Sequence, residues 1–414
     1  MSARGPVLSR RTGVAAAAAL LVGTGTGTGT ASAAPSGAAE APAGGRLQAD
    51  TDAIRATGAT GVLAEVGTAR RRTVARAGTA AVGTGHPVPW DAYYRIGSDT
   101  KTFTATVVLQ LAGEGRLALT DTVERWLPGL VRGQGHDGRR VTVANLLRQT
   151  SGLGDYLTAA DGDILTPEGY LRTRFRSSSP REQVAAALSR PPLWLPDATD
   201  PAEERRWGYS NTNYVLLGQI IEEVTGHPWA QEVHERLIGP LGLRHTLIPG
   251  GSAYVPQPTA TAYTGFPGSP RLIDTSLTTG GGADGGIIST TRDLTVFLRA
   301  LLGGRLLRPA QFEAMRRTVA ADDWIPAEGV RYGMGIAWRP GGPRGEGIWF
   351  HGGTHLGMAS ESGVSADGSR AAAAAVFTVR FGDARGEAQA KAALRLVDNA
   401  LRAGGPGGGE RGAD

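Results

Sequence analysis

The chain has 414 residues, no Cys and a formal net charge of +5, and of its 43 basic residues only Lys101 and Lys391 are Lys. The Arg residues are scattered among 38 acids, charged residues make up only 20% and hydrophobic residues 41%, which excludes global disorder and argues against a polybasic nucleic-acid or membrane binder. Without Cys there are no disulfides, no thiolate metal sites, no Cys nucleophile and no acylated lipoprotein Cys.

Residues 1–33 read as an export signal, so the protein is expected to be secreted. Arg4, Arg10 and Arg11 form a basic start, Val14 to Val22 an apolar run too short to span a bilayer, and Ala31-Ser32-Ala33 a small-residue cleavage site. Arg10-Arg11 also fits a twin-arginine signal, although the bulky apolar residues usual after the pair are missing. Cleavage there removes three Arg and no acid, leaving a formal charge of +2. Residues 34–46 read as an Ala/Pro/Ser/Gly linker, 47–402 as one domain and 403–414 as a Gly-rich tail, with no interior segment apolar enough for a transmembrane helix.

Within the domain, Gly61–Val66 and Arg72–Ala77 predict a β-hairpin. Ser98 precedes Phe103, Val107 and Leu111 at four-residue spacing, which predicts a helix stopped by Gly113. A second helix is predicted from Asn213 to Val224, ended by Gly226 and Pro228. Thr290-x-x-Asp293 resembles a capping box opening a third. Gly347–Phe350 and Ala371–Arg380 read as buried strands, and Glu387–Leu401 as a last helix. The expected architecture is α/β of the α+β type: an antiparallel sheet built from both termini, flanked by helices, with a helix-rich inserted region.

Three short patterns could carry chemistry. Ser98-Asp99-Thr100-Lys101 is an S-x-x-K motif that places an amine beside a hydroxyl on one helix face. A Lys there suggests a task that Arg, always protonated, cannot perform. Lys391, four residues after Glu387, reads instead as a surface pair. Tyr209-Ser210-Asn211 offers a phenol that can relay a proton and an amide that can orient a carbonyl. His351-Gly352-Gly353 follows an apolar strand-like run, where glycines let a substrate backbone approach. Gly280-x-Gly282-x-x-Gly285 matches a dinucleotide fingerprint but leads into a β-like run instead of a helix. A G-x-S-x-G elbow and zincin-spaced His are both missing, which argues against an ordinary α/β-hydrolase and a metal enzyme, and no cofactor is expected.

In order and spacing, Ser98-x-x-Lys101, Tyr209-x-Asn211 and His351-x-Gly353 resemble the serine β-lactamase and penicillin-binding family, most of all its class C and D-alanyl-D-alanine carboxypeptidase branch. Tyr94–Ser98, the segment Leu146-Leu147-Arg148-Gln149-Thr150-Ser151-Gly152-Leu153 and Pro240–Leu243 extend the resemblance over residues 50–400. It implies that Ser98 forms an acyl-enzyme, that Lys101 and Tyr209 share proton transfer, and that the Ser98 and Thr354 N–H groups form an oxyanion hole. It further implies that Asn211 holds the acyl-side amide, and that His351, Gly353 and Thr354 line the site near a substrate carboxylate. The expected substrates are D-Ala-D-Ala-terminated peptides and β-lactams. The chain departs from the family pattern at His351, where class C β-lactamases carry Lys, at Gly352, which lacks a hydroxyl, and at Gln149, where His is usual. The motifs do not place the family's carboxylate-binding Arg, although Arg339 lies in the neighbourhood where one is expected. The expected function is that of a D-alanyl-D-alanine carboxypeptidase on cell-wall peptides that also reacts with penicillins; a class C-like β-lactamase or an esterase on the same fold, and an inactive peptidoglycan- or penicillin-binding module, are the competing readings.

Overall fold

The computed structural model describes residues 43–402, apart from 160–161, 198, 201–202, 323 and 343–344. The expected export signal and C-terminal tail lie outside the described residues. Helix α1 (Ala43–Ala56) begins inside the stretch expected as linker. Its Leu47, Thr51 and Ile54, spaced for one helix face, are buried.

Eight strands form one antiparallel sheet: β1 (Gly61–Thr68), β2 (Arg72–Gly78), β3 (Val319–Ala320), β4 (Arg331–Tyr332), β5 (Ala337–Arg339), β6 (Ile348–His355), β7 (Met358–Ser365) and β8 (Arg370–Val376). Their order is β2-β1-β8-β7-β6-β5-β4-β3, so the N-terminal hairpin docks on the C-terminal strands as expected. The chain between β2 and β3 is the helix-rich insertion.

Both sheet faces are covered, and β8 shows why. Ala371, Ala373 and Ala375 face a core shared with the insertion, whereas Ala372, Ala374 and Val376 face a second core under α1 and the last helix, α6 (Ala384–Arg402). Small side chains on both faces let helices pack closely on either side. The run expected as one strand to Arg380 breaks after Val376. Thr378–Arg380 instead pairs parallel with Tyr263–Gly265.

Three helices of the insertion carry or brace the site: α2 (Thr100–Gly113), α3 (Val143–Arg148) and α4 (Asn211–Thr225). A further helix, α5 (Thr291–Leu302), stacks Phe297 on Phe103 of α2 at 3.6 Å between ring centroids. The capping box expected at its start is half formed. Thr290 accepts from the Asp293 N–H, but the Asp293 carboxylate accepts from His245 N–H and the Thr246 hydroxyl. Among the described residues no helix is long and apolar enough to cross a membrane.

Candidate active site

Ser98 lies in a single 3-10 turn, Gly97–Asp99, that leads into α2. Gly97 holds φ +52, and a Cβ on it would sit 2.7 Å from the Thr354 nitrogen. On β6, a Cβ on Gly353 would sit 1.9 Å from the Ile96 carbonyl oxygen and 2.7 Å from the Ser98 nitrogen. Glycines on both sides therefore let the nucleophile turn press against the strand, backbone to backbone.

The strand register gives this contact a chemical meaning. His355 and Met358 close the β6–β7 hairpin around a two-residue turn, which makes them a hydrogen-bonded pair. Pair types alternate along an antiparallel ladder, so Thr354, opposite Ala359, is a non-bonded position. Its N–H points away from β7, on the edge where Ser98 arrives.

Lys101 is fully buried and its Nζ lies 3.0 Å from Ser98 Oγ. The same nitrogen donates to Asn211 Oδ1 and to the Asp284 carbonyl, each at 2.6 Å. The Asn211 orientation is fixed because its Nδ2 donates to Asp155 Oδ2 at 2.8 Å. Two acceptors that cannot donate thus take two N–H bonds of the amine. In a neutral Lys101 the remaining lone pair is left for the Ser98 hydroxyl. Burial pushes the Lys101 pKa down to about 8, against the pull of Asp284, Asp155 and Asp99.

Tyr209 closes the other side. Its ring lies 5.0 Å from Lys101 Nζ and stacks on Trp324 at 5.4 Å. Its hydroxyl is buried near Ser98 without a well-formed hydrogen bond. Burial, together with Tyr332, raises its pKa well above the usual phenol range, although Ser98 acts the other way. His351 is also buried. Its Nδ1 meets the Gly352 carbonyl at 2.6 Å, so that nitrogen carries the proton, and Nε2 accepts from the Tyr332 hydroxyl at 3.1 Å. Burial, then the Lys101 charge, push its pKa down to about 3, so the ring is neutral at physiological pH.

The structure brings Ser98, Lys101, Tyr209, Asn211, His351, Gly353 and Thr354 together. It does not bring Arg339. Facing residues of a strand pair share a face, and Gly352 opposite Glu361 marks the sheet side away from Ser98. Arg339 is committed on that side, 2.8 Å from Asp398 of α6 and 3.6 Å from Glu361.

Several residues that the motifs did not flag support the site. The run Gly280–Gly286 is no dinucleotide loop. It wraps over α2 and presents the Asp284 carbonyl to Lys101, while the Asp284 carboxylate accepts from the Tyr156 hydroxyl at 2.9 Å. Asp155 accepts from both the N–H and the side chain of Asn211. Beneath Ser98, Asp99 is fully buried on Ser362 Oγ at 2.6 Å, and that hydroxyl also lies 2.9 Å from the His351 carbonyl. With Asp99 protonated, the acid hydrogen goes to Ser362 Oγ and the serine's own hydrogen to the His351 carbonyl, in keeping with burial raising the Asp99 pKa to about 7. An acid inside a nucleophile motif was the available signal for Asp99; loop acids such as Asp155 and Asp284 carry none.

Gln149, where the family usually carries His, caps α3 at φ 63. Its Oε1 accepts from Ser210 N–H at 3.1 Å and from the Asn213 side chain, tethering the Tyr209–Asn211 segment. Gln149→Ala strands these buried donors and is expected to cost about 1–3 kcal/mol. Urea unfolding should show a lower midpoint, with a parallel loss of turnover as Tyr209 shifts.

A buried serine–lysine pair, a phenol beside it and two backbone N–H groups at one strand edge define a serine hydrolase of the β-lactamase and transpeptidase type. Residues 47–399 match the family described as Beta-lactamase, and the chain belongs to that family. It is similar to a D-stereospecific amidohydrolase from Streptomyces sp., with 37% identity and a TM-score of 0.75 over 86% of this chain and 98% of that one. It is also similar to the D-amino acid amidase from Ochrobactrum anthropi SV3 in a complex with L-phenylalanine amide, with 25% identity and a TM-score of 0.73 over 87% and 98% of the two chains. Penicillin-binding protein 4 of Amycolatopsis lactamdurans is 29% identical over 257 residues, 58% of this chain. That match spans 61% of the relative, less than two thirds of its length.

Proposed function

We propose that this chain is a secreted D-stereospecific serine amidohydrolase that cleaves the amide bond after a D-residue through an acyl-enzyme on Ser98. The observation that carries the reading is the neutral carboxylate side of the site. His351 is held uncharged by burial, and Arg339 is spent on Asp398 and Glu361 across the sheet. A free C-terminal carboxylate therefore finds no charge at either position, whereas a neutral amide needs none. The likeness to D-amino acid amidases supports the same substrate class.

Lys101 takes the Ser98 proton as Oγ attacks the amide carbon. The tetrahedral oxyanion is held by the N–H groups of Ser98 and Thr354. The C–N bond then breaks, the leaving nitrogen takes the proton back, with Tyr209 as the relay, and ammonia or an amine departs. Water attacks the Ser98 ester, Lys101 again accepts a proton, and the D-acid leaves with the hydroxyl restored. Asn211 orients the acyl side. The raised pKa of Tyr209 keeps it a proton donor, so Lys101 is the base.

Because the working form is the neutral amine, kcat/KM should rise with pH and level off above an apparent pKa of about 8. A profile that falls through that region overturns the assignment.

A D-alanyl-D-alanine carboxypeptidase reading is favoured by the likeness to a penicillin-binding protein. Comparing D-alanine amide or D-phenylalanine amide with a peptide ending in D-Ala-D-Ala separates the two. We expect the amides to be cleaved at least about tenfold faster, since a charge-assisted contact is worth about 1.5–3 kcal/mol. Faster D-Ala release makes the protein a carboxypeptidase, and ester turnover without amide turnover makes it an esterase.

A further inference from the structure

Asp99 is a buried acid that the acyl-transfer steps above do not use. As the residue before α2 it could cap that helix, the usual use of Asp at such a position. It does not: its backbone is already helical and its side chain makes no cap bond. The carboxyl is turned to the sheet, 1% exposed, where a polar group costs stability unless it is bonded.

What it meets there is the strand beside β6. Ser362 of β7 stands opposite His351, and Ser360 opposite Gly353, so both serines lie on the sheet side that receives the nucleophile turn. Asp99 Oδ1 lies 2.6 Å from Ser362 Oγ, which lies 2.9 Å from the His351 carbonyl. Oδ2 has no well-formed hydrogen bond, with the Ser360 hydroxyl beside it. One side chain thus ties the residue after Ser98 to the strand pair that carries Thr354. The charged or titratable groups around it are Lys101 of α2, Tyr94 before the turn, and Glu361 of β7, which lies across the sheet beside Arg339.

We propose that Asp99 is a positioning residue for acylation: its carboxyl pins the nucleophile turn to β7, which keeps the Ser98 and Thr354 N–H groups paired, and its charge acts on Lys101. The role rests on Ser98 as the nucleophile and not on which amide it cleaves. An Asn amide can replace the pin, because its N–H donates to Ser362 while the serine hydroxyl still reaches the His351 carbonyl. It cannot replace the charge. Burial lowers the Lys101 pKa, and Asp284, Asp155 and then Asp99 act against it, so removing the Asp99 carboxylate favours the neutral amine.

The test is the rate of Ser98 acylation by p-nitrophenyl acetate across pH, with a melting curve for each variant. Asp99→Ala and Ser362→Ala both break the pin, and the plateau rate should fall at least about tenfold, since a displacement near 1 Å costs roughly a hundredfold. Asp99→Asn should keep the plateau within about threefold, because the hydrogen bond to Ser362 survives. Its pH midpoint should nevertheless move to lower pH, which a merely structural role would not cause. A full plateau rate in Asp99→Ala, a plateau in Asp99→Asn as low as in Asp99→Ala, or an unmoved midpoint in Asp99→Asn overturns the role. Wild-type ester reaction without amide turnover defeats the amidohydrolase reading alone, whereas an ester reaction that persists in Ser98→Ala defeats both.

Discussion

Replacing Lys101 by Arg is expected to lower kcat/KM by about a thousandfold or more, within the range lost when a general base is removed. Arg keeps the positive charge but has no lone pair at working pH. The cage around Nζ leaves one direction, toward Ser98 Oγ, for a proton acceptor, because the Asn211 and Asp284 oxygens occupy the other two. The site is also closed around an ammonium-sized head, so the guanidinium adds a steric penalty. Rescue of Lys101→Ala by small added amines separates the two effects. Recovery that grows with amine basicity identifies the missing base, and an active Lys101→Arg enzyme would falsify the assignment.

Gly353→Ala is expected to be nearly as severe without touching a reactive group. The new Cβ would meet the Ile96 carbonyl at 1.9 Å and Ser98 nitrogen at 2.7 Å, both backbone atoms that no rotamer change can clear. The strand and the nucleophile turn must separate, which pulls the Thr354 N–H away from the Ser98 N–H. A displacement near 1 Å costs roughly a hundredfold in rate, and loss of an oxyanion donor about a hundred- to a thousandfold. Stability should fall by about 1–3 kcal/mol from overpacking. Kinetics on a D-aminoacyl amide, acylation by a fluorescent penicillin and a melting curve check these together. Near-normal turnover in this variant would mean that the two N–H groups do not act as a pair.

Local patterns carried much of this architecture. The hairpin at 61–78 was legible because alternation and turn residues act within a few residues. The helix over Thr100–Gly113 was legible for the same reason, with four-residue spacing and a glycine stop. The strand ending at Arg380 was less so, because its break after Val376 serves a pairing with Tyr263–Gly265 more than a hundred residues away. Arg339 shows the same limit. Sequence placed it near His351, but side chains on a strand alternate, and register sent it to Asp398 and Glu361 on the opposite face.

Sequence by itself determined the family, the order of its motifs and the pairing of Ser98 with Lys101. These are statements about which residues lie close along the chain, and Ser98 and Lys101 share one helical turn whatever surrounds them. Only the tertiary structure decided what those groups are chemically. The lowered pKa of Lys101, the neutrality of His351 and the raised pKa of Tyr209 all come from burial among segments far apart in sequence. Desolvation and hydrogen-bond direction are properties of a packed environment, and that environment lowers the pKa of a rare lysine and leaves His351 uncharged.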